Sequence, residues 1–178
     1  MPDILRIPVP LNSYLSTHKG VNQMSTSYTE ADYEKSVMEL FEGLGYTRLY
    51  GPEVERDIHS PLYDAVLTEQ IRRLNPSLPD EALVDALDQL RNIESGELVQ
   101  RNKVFMDDLQ NGISARYFAD GEERSALVYL VDYQNPATNS FIVANQWTVV
   151  ENSEKRPDIL LFLNGIPIVV IELKSPAR

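Results

Sequence analysis

The chain has 178 residues, 43% of them hydrophobic, enough for one substantial core, and a net charge of −11 that argues against tight unaided binding of nucleic acid. Without cysteine, disulfides and thiolate metal sites are excluded, so any metal must be held by oxygen atoms or by His18 and His59, which stand alone in the sequence. No stretch approaches the ~20 apolar residues that cross a bilayer, and the start is interrupted by Pro2, Pro8 and Pro10, so a cytoplasmic protein with no membrane partner is expected.

Residues 1–27 mix Pro, Ser, Thr and Asn with scattered apolar residues and read as an extended arm. From Thr29 the period turns helical: Tyr33, Val37, Leu40, Phe41 and Leu44 recur at spacings of three and four, with Gly45 as the stop. A second helix is predicted from Pro61 to Leu74, stopped by Asn75-Pro76, and a third is capped by Ser77 and carries Leu83, Val84, Leu87 and Leu90. A fourth runs from Glu97 to Leu109 and ends at Asn111-Gly112. The acid is concentrated in this helical part: residues 28–112 hold 18 acidic and 8 basic side chains, which reads as solvated helix faces.

After Gly112 the pattern becomes strand-like, with candidates at Ile113–Phe118, Ala126–Tyr133, Phe141–Val150, Asp158–Leu163 and Ile168–Lys174. The last two contain the apolar runs Ile159–Leu163 and Ile168–Ile171, which suit strands covered on both faces. An α/β fold with a central mixed sheet flanked by helices follows.

Asn164-Gly165 between the last two strands is a strong hairpin signal and folds Asp158 back toward Glu172. A plain two-residue loop would pair Asp158 with Ile171 and leave Glu172 on the opposite face. A three-residue loop, Asn164 to Ile166, with a bulge at Gly165 or a neighbour pairs Asp158 with Glu172 directly; Pro167, which has no amide hydrogen, is a natural place for irregular pairing. Glu172 and Lys174, two apart on one strand, share a face. Asp158, Glu172 and the backbone carbonyl of Leu173 would make a hard oxygen site for Mg²⁺, or Mn²⁺ in its place, with Lys174 beside it to position a water and offset charge on phosphorus. The same residues would also suit a plainer arrangement, an edge-strand ion pair of Lys174 with Glu172 and a turn capped by Asp158.

The segment from Arg156-Pro157-Asp158 through Asn164-Gly165 to Glu172-Leu173-Lys174-Ser175-Pro176 closely resembles the nuclease motif of the restriction (R) subunit of type I restriction enzymes, a member of the PD-(D/E)xK superfamily. The resemblance extends upstream through Tyr28-Thr29-Glu30, Glu34, Leu44-Gly45-Tyr46, Leu74-Asn75-Pro76 and Asn145-Gln146-Trp147, and covers roughly residues 28–178. It implies a restriction-endonuclease-like fold in which Asp158 and Glu172 bind Mg²⁺, Lys174 is the catalytic lysine and Glu34 is a carboxylate assisting from the first helix. It also implies double-stranded DNA as substrate, modification and specificity subunits as partners, and an ATP-driven motor elsewhere in the subunit. No G-x-x-x-x-G-K-[ST] occurs in these residues, and the Gln-x-x-x-Tyr element expected after the lysine strand is missing, so residues 28–178 read as the nuclease domain of a longer protein, truncated at its C-terminus. Lys155 and Arg156 are better placed than Arg72 and Arg73 to touch phosphates, and Gln146 is a further DNA-binding candidate. Trp147 could stack on a base, although an aromatic within a strand belongs more often to the core. Two other readings fit the same residues: a subunit-docking module that is inactive in isolation, and a stand-alone repair or junction-cleaving nuclease.

Overall fold

The computed structural model describes residues 29–93 and 96–174, so the arm expected over residues 1–27 lies outside the described residues. Four helices, α1 (Glu30–Gly43), α2 (Asp64–Leu74), α3 (Asp80–Arg91) and α4 (Leu98–Asn111), surround the strands. Strands β1 (Thr47–Tyr50), β4 (Phe141–Asn145), β7 (Ile159–Leu163) and β8 (Ile166–Ile171) form one mixed sheet in the order β1-β4-β7-β8. The pair β1·β4 is parallel and the other two are antiparallel. A hairpin of β2 (Ile113–Ala119) and β3 (Glu122–Val128) stands apart and packs on α3, and β5 (Val149–Val150) pairs with β6 (Glu154–Lys155). The α/β architecture with a mixed sheet is therefore the one the sequence implied.

The sheet has two distinct faces. Met38 of α1 packs on Val143, Ile159 and Leu161, with Ile171 and Leu173 beside them. On the other face Ile142, Ala144, Leu160 and Phe162 gather around Trp147, and Tyr63 and Val66 at the start of α2 cover them. Alternation along each strand makes this separation: neighbouring residues of β7 point to opposite faces, so its continuous apolar run serves both cores.

Several boundaries differ from the sequence reading. The third helix is not capped by Ser77; it begins at Asp80 after Pro79, which makes no side-chain cap bond. Pro79 disfavours helical geometry at Leu78, so the helix cannot start earlier. The second helix begins at Asp64 and not at Pro61, and the fourth runs two residues beyond Leu109. The strand expected at Ala126–Tyr133 instead runs Glu122–Val128, because register across the Asp120-Gly121 turn sets its start, and the one expected at Ile168–Lys174 runs Ile166–Ile171, so Glu172 and Lys174 lie beyond its end and not on one strand. The long strand expected over Phe141–Val150 breaks at Gln146, whose φ is 54°. Strand β1 went unforeseen, since four residues with exposed Thr47, Arg48 and Tyr50 show no readable period.

Helix α1 is fixed at both ends. Leu44 ends it, with the Gly45 amide donating to Glu42 O at 3.0 Å and the Tyr46 amide to Phe41 O at 3.0 Å, a Schellman closure. At its start Thr29 and Asp32 form a capping box: the Asp32 amide donates to Thr29 Oγ1 at 3.2 Å, and the Thr29 amide and hydroxyl donate to Asp32 Oδ2 at 2.9 and 2.7 Å. Those bonds from the Thr29 backbone and side chain lower the Asp32 pKa from its ordinary value. A depressed carboxyl pKa contributes stability that is present above the unfolded-state pKa and is lost as pH falls through the folded value. Asp32→Asn is therefore expected to lower the melting temperature at neutral pH, with the gap to the parent closing as pH falls below the usual aspartate range. A gap of constant size across that range would show that the charge at Asp32 does not stabilise α1.

Candidate functional site

The site is set by the parity of the β7–β8 hairpin. Asn164 and Gly165 both take positive φ, 52° and 82°, and form a two-residue turn with Leu163 opposite Ile166. The three-residue loop expected from the sequence is thus replaced by the tighter turn. Asn164 is fully buried and anchors it: its amide donates to Ser140 O at 2.8 Å, its side-chain oxygen accepts from the Ser140 amide at 2.7 Å, and its Nδ2 donates to Leu130 O and Asn139 Oδ1, each at 2.8 Å. A Cβ on Gly165 would lie 2.7 Å from both Tyr63 O and Leu67 N, so α2 rests directly on the turn.

The odd residue appears further along. Phe162 faces Pro167, but Leu161 faces Val169, so Ile168 is the extra residue of a bulge. Pro167 sits beside it, where irregular pairing was expected, because a residue without an amide hydrogen cannot make a ladder bond there. From the bulge onward Leu160 faces Val170 and Ile159 faces Ile171. Ile159–Ile171 is the last paired rung, and Asp158 and Glu172, the next residues along, lie just beyond the strand ends, where continued pairing would set them opposite each other. Opposed residues of antiparallel strands have Cβ atoms about 4.5–5.5 Å apart and share a face.

Asp158 is half-buried, and its Oδ2 accepts the Leu173 amide at 2.7 Å, closing the open end of the hairpin. Glu172 and Lys174 are exposed, and no described residue bonds to either side chain. Glu172 lines a cleft of about 330 Å³ together with Leu160, Val170, Lys155 and Arg156. Two carboxylates and the nearby carbonyl of Leu173 make an all-oxygen donor set that suits Mg²⁺ better than a softer metal. They supply only part of an octahedron: among the described residues no three His, Asp or Glu side chains lie close enough to hold an ion between them. Water or substrate oxygen would have to complete the shell.

Glu34 does not join the two carboxylates in such a group. It projects from α1, on the other side of the sheet, and its carboxylate accepts from Asn145 Nδ2 at 2.6 Å and from Gln146 Nε2 at 3.1 Å. Gln146 thus spends its side-chain amide on Glu34, while its backbone amide donates to Asp158 O at 3.2 Å. Asn145 had no assigned role from sequence; an amide pair closing the apolar run Phe141–Ala144 was the only signal that could have marked it. Trp147 is fully buried, so it is a core residue and offers no face to a base. The Arg56 guanidinium lies 3.8 Å over its ring and donates to Thr148 O and Asp57 O, and burial lowers the Arg56 pKa. His59 lies apart from these carboxylates, its Nδ1 2.9 Å from Val150 O, whereas His18 lies outside the described residues.

The pattern of ion pairs bears on the site. Lys35, Arg48, Arg72, Arg91, Arg116 and Arg124 each have a carboxylate within 4 Å. Lys155, Arg156 and Lys174 have none among the described residues. Arg56, Arg73, Arg101 and Lys103 likewise have no carboxylate within 4 Å among the described residues, so the three cations near Asp158 and Glu172 belong to a wider unpaired set. Among the described residues no helix is long and apolar enough to cross a membrane.

The family described as "Type I restriction enzyme R protein N terminus" matches residues 27–178, and the chain belongs to that family. It is 31% identical over 159 residues to the type I restriction enzyme HindI endonuclease subunit of Haemophilus influenzae, an alignment covering 84% of this chain and 15% of that protein. It is 33% identical over 153 residues to the putative type I restriction enzyme MjaIXP endonuclease subunit of Methanocaldococcus jannaschii, covering 80% of this chain and 15% of that one. These 178 residues therefore span about a seventh of the length of the curated relatives they match.

If the Asp158 carboxylate closes the hairpin end, Asp158→Ala should speed amide hydrogen exchange at Leu173 on the order of tenfold, while Asp158→Asn, which keeps an acceptor oxygen, should leave it close to the parent. Equal exchange in all three proteins would mean that the contact does not order this end of the sheet.

Proposed function

We propose that this member of the R protein family is the Mg²⁺-dependent DNA endonuclease module of a type I restriction subunit, acting on double-stranded DNA in the cytoplasm alongside modification and specificity subunits. The observation that carries this reading is the Asp158 carboxylate holding the Leu173 amide at 2.7 Å, which ties it to the residue between Glu172 and Lys174 just past the last paired rung, Ile159–Ile171. Relatives that are themselves described as endonuclease subunits support it.

Each residue then has a task set by its position. The second oxygen of Asp158, the Glu172 carboxylate and the Leu173 carbonyl would hold the cation, which would polarise a phosphoryl oxygen and acidify a water. Lys174 donates N–H bonds to the attacking water and to a non-bridging phosphate oxygen, so its fixed charge offsets the negative charge that grows on the phosphoryl group as the water attacks. Lys155 and Arg156, which line the cleft with Glu172, take flanking phosphates and set the register of the strand without reading its sequence. With a net charge of −11 the module binds DNA weakly by itself, so delivery of DNA falls to the rest of the complex, where ATP drives the motor.

A second reading has one observation in its favour. Helix α4 leaves Leu98 and Val99 67% and 77% exposed, which suits a module that docks other subunits and is inactive alone. Metal binding separates the two. In the nuclease reading the 178-residue chain binds Mg²⁺ or Mn²⁺ saturably in calorimetry, and Asp158→Ala or Glu172→Ala removes that binding; if both variants bind like the parent, the nuclease site is wrong. For the DNA contacts, replacing Lys155 and Arg156 together by Gln should reduce the salt dependence of duplex affinity, measured in Ca²⁺, by a slope of about 2 for any sequence. An unchanged slope would remove these two residues from the DNA path.

A further inference from the structure

We infer that Glu34 acts through Gln146, as a positioning residue that fixes the main chain at Asp158, and not as a ligand of the cation. This rests on the metal-site reading above and adds to it a device at the end of β4.

Residues 145 and 146 are consecutive, and on a regular strand their side chains would point to opposite faces. Yet both amides reach one carboxylate, Asn145 Nδ2 at 2.6 Å and Gln146 Nε2 at 3.1 Å. That is possible because Gln146 leaves strand geometry, with φ at 54°. A left-handed conformation is disfavoured for a residue with a side chain and persists only where the surroundings enforce it. The Glu34 clasp is one such enforcement, and the wall at Gly51 is another. A Cβ on Gly51 would lie 2.6 Å from Gln146 O and 2.9 Å from Trp147 Cα, so the kinked peptide occupies space that only glycine leaves open.

The kink has a direct consequence for the candidate site. Its backbone amide donates to Asp158 O at 3.2 Å, one rung beyond Asn145 opposite Ile159, so the turn at Gln146 sets where the Asp158 main chain sits. Asp158 in turn holds the Leu173 amide at 2.7 Å, beside Glu172. A path of hydrogen bonds thus runs from α1 on one face of the sheet through Gln146 to Asp158 and the Leu173 amide, whereas Glu34 itself forms no group of three acids with Asp158 and Glu172.

The test is an epistasis measurement on the 178-residue chain, with Mg²⁺ binding followed by calorimetry and the Leu173 amide followed by NMR in the metal-free protein. Glu34→Gln keeps the size of the side chain but turns an amide toward amide donors, so it should weaken Mg²⁺ binding about tenfold, as loss of an outer-shell partner does, and shift the Leu173 resonance before any metal is added. Adding Gln146→Gly, which adopts positive φ freely, should restore affinity to within about threefold of the parent. Gly51→Ala, which alters no carboxylate, should weaken binding comparably to Glu34→Gln. Full affinity in Glu34→Gln, or a folded double variant as weak as the single one, overturns the inference: the first removes any role for Glu34, and the second makes it a ligand. Asp158→Ala in the same series keeps the two levels apart, because parent-like binding there would sink the metal site itself, whereas lost binding there with failed rescue sinks only the role given to Glu34.

Discussion

A hairpin closed by a two-residue turn pairs its strands in a fixed parity, and the β7–β8 hairpin needs the other parity. With Leu163 opposite Ile166, an unbroken ladder would bring Ile171 across from Asp158 and turn Glu172 to the face that α1 covers, where Met38 and Val143 are fully buried. Ile168, left unpaired beside Pro167, changes the count by one. The face that each residue takes at the far end of the hairpin, from Val169 to Ile171 and on toward Glu172, depends on that single residue. It also keeps Ile171 and Leu173 on the apolar side, so one bulge satisfies both the core and the site.

The sheet is a thin plate with different surroundings on its two sides, and its C-terminal end on β4 is where they meet. Helix α1 packs on one face through Met38, and its exposed acid is held by its own lysine, as in the Lys35–Glu39 pair, or by caps such as Thr29 with Asp32. The other face carries the cleft by Glu172, which Lys155 and Arg156 also line. Gln146, at positive φ, lets side chains and main chain at the end of β4 serve both sides at once. Buried support of this kind is costly to assemble but holds a functional geometry closely, because each group is fixed by a partner that is itself packed.

Much of this was legible in the sequence, and the parts that were not share a cause. The buried run Ile159–Leu163, the Asn164-Gly165 pair and the need for one odd residue follow from the sequence, because strand parity is arithmetic, whereas the run Ile168–Ile171, expected to be covered on both faces, lies on the edge strand with Ile168, Val169 and Val170 exposed. The position of the odd residue could not, since it depends on Asn164 being gripped by Ser140, Leu130 and Asn139 from distant parts of the chain, which enforces the tight turn. For the same reason the break at Gln146 was missed. Residues 141–150 read as one strand from their composition, but Glu34, more than a hundred residues earlier, and Gly51 hold the chain in a conformation that local preference disfavours. Helix ends set by local rules fared better: Gly45 closes α1 and Gly112 ends α4 as their sequence suggests, whereas α3 was misplaced because Pro79 outweighed a good capping residue at Ser77.

The central claim is that a divalent cation sits between Asp158 and Glu172. The most direct measurement is paramagnetic broadening of backbone amide signals by substoichiometric Mn²⁺, because broadening falls off steeply with distance from the ion. Asp158 and residues 172–174 are predicted to lose their signals first, with Gln146 following and helix α2 and the acidic helix α3 unaffected. Broadening centred on those helices, or spread evenly over the acidic surface of the chain, would contradict it.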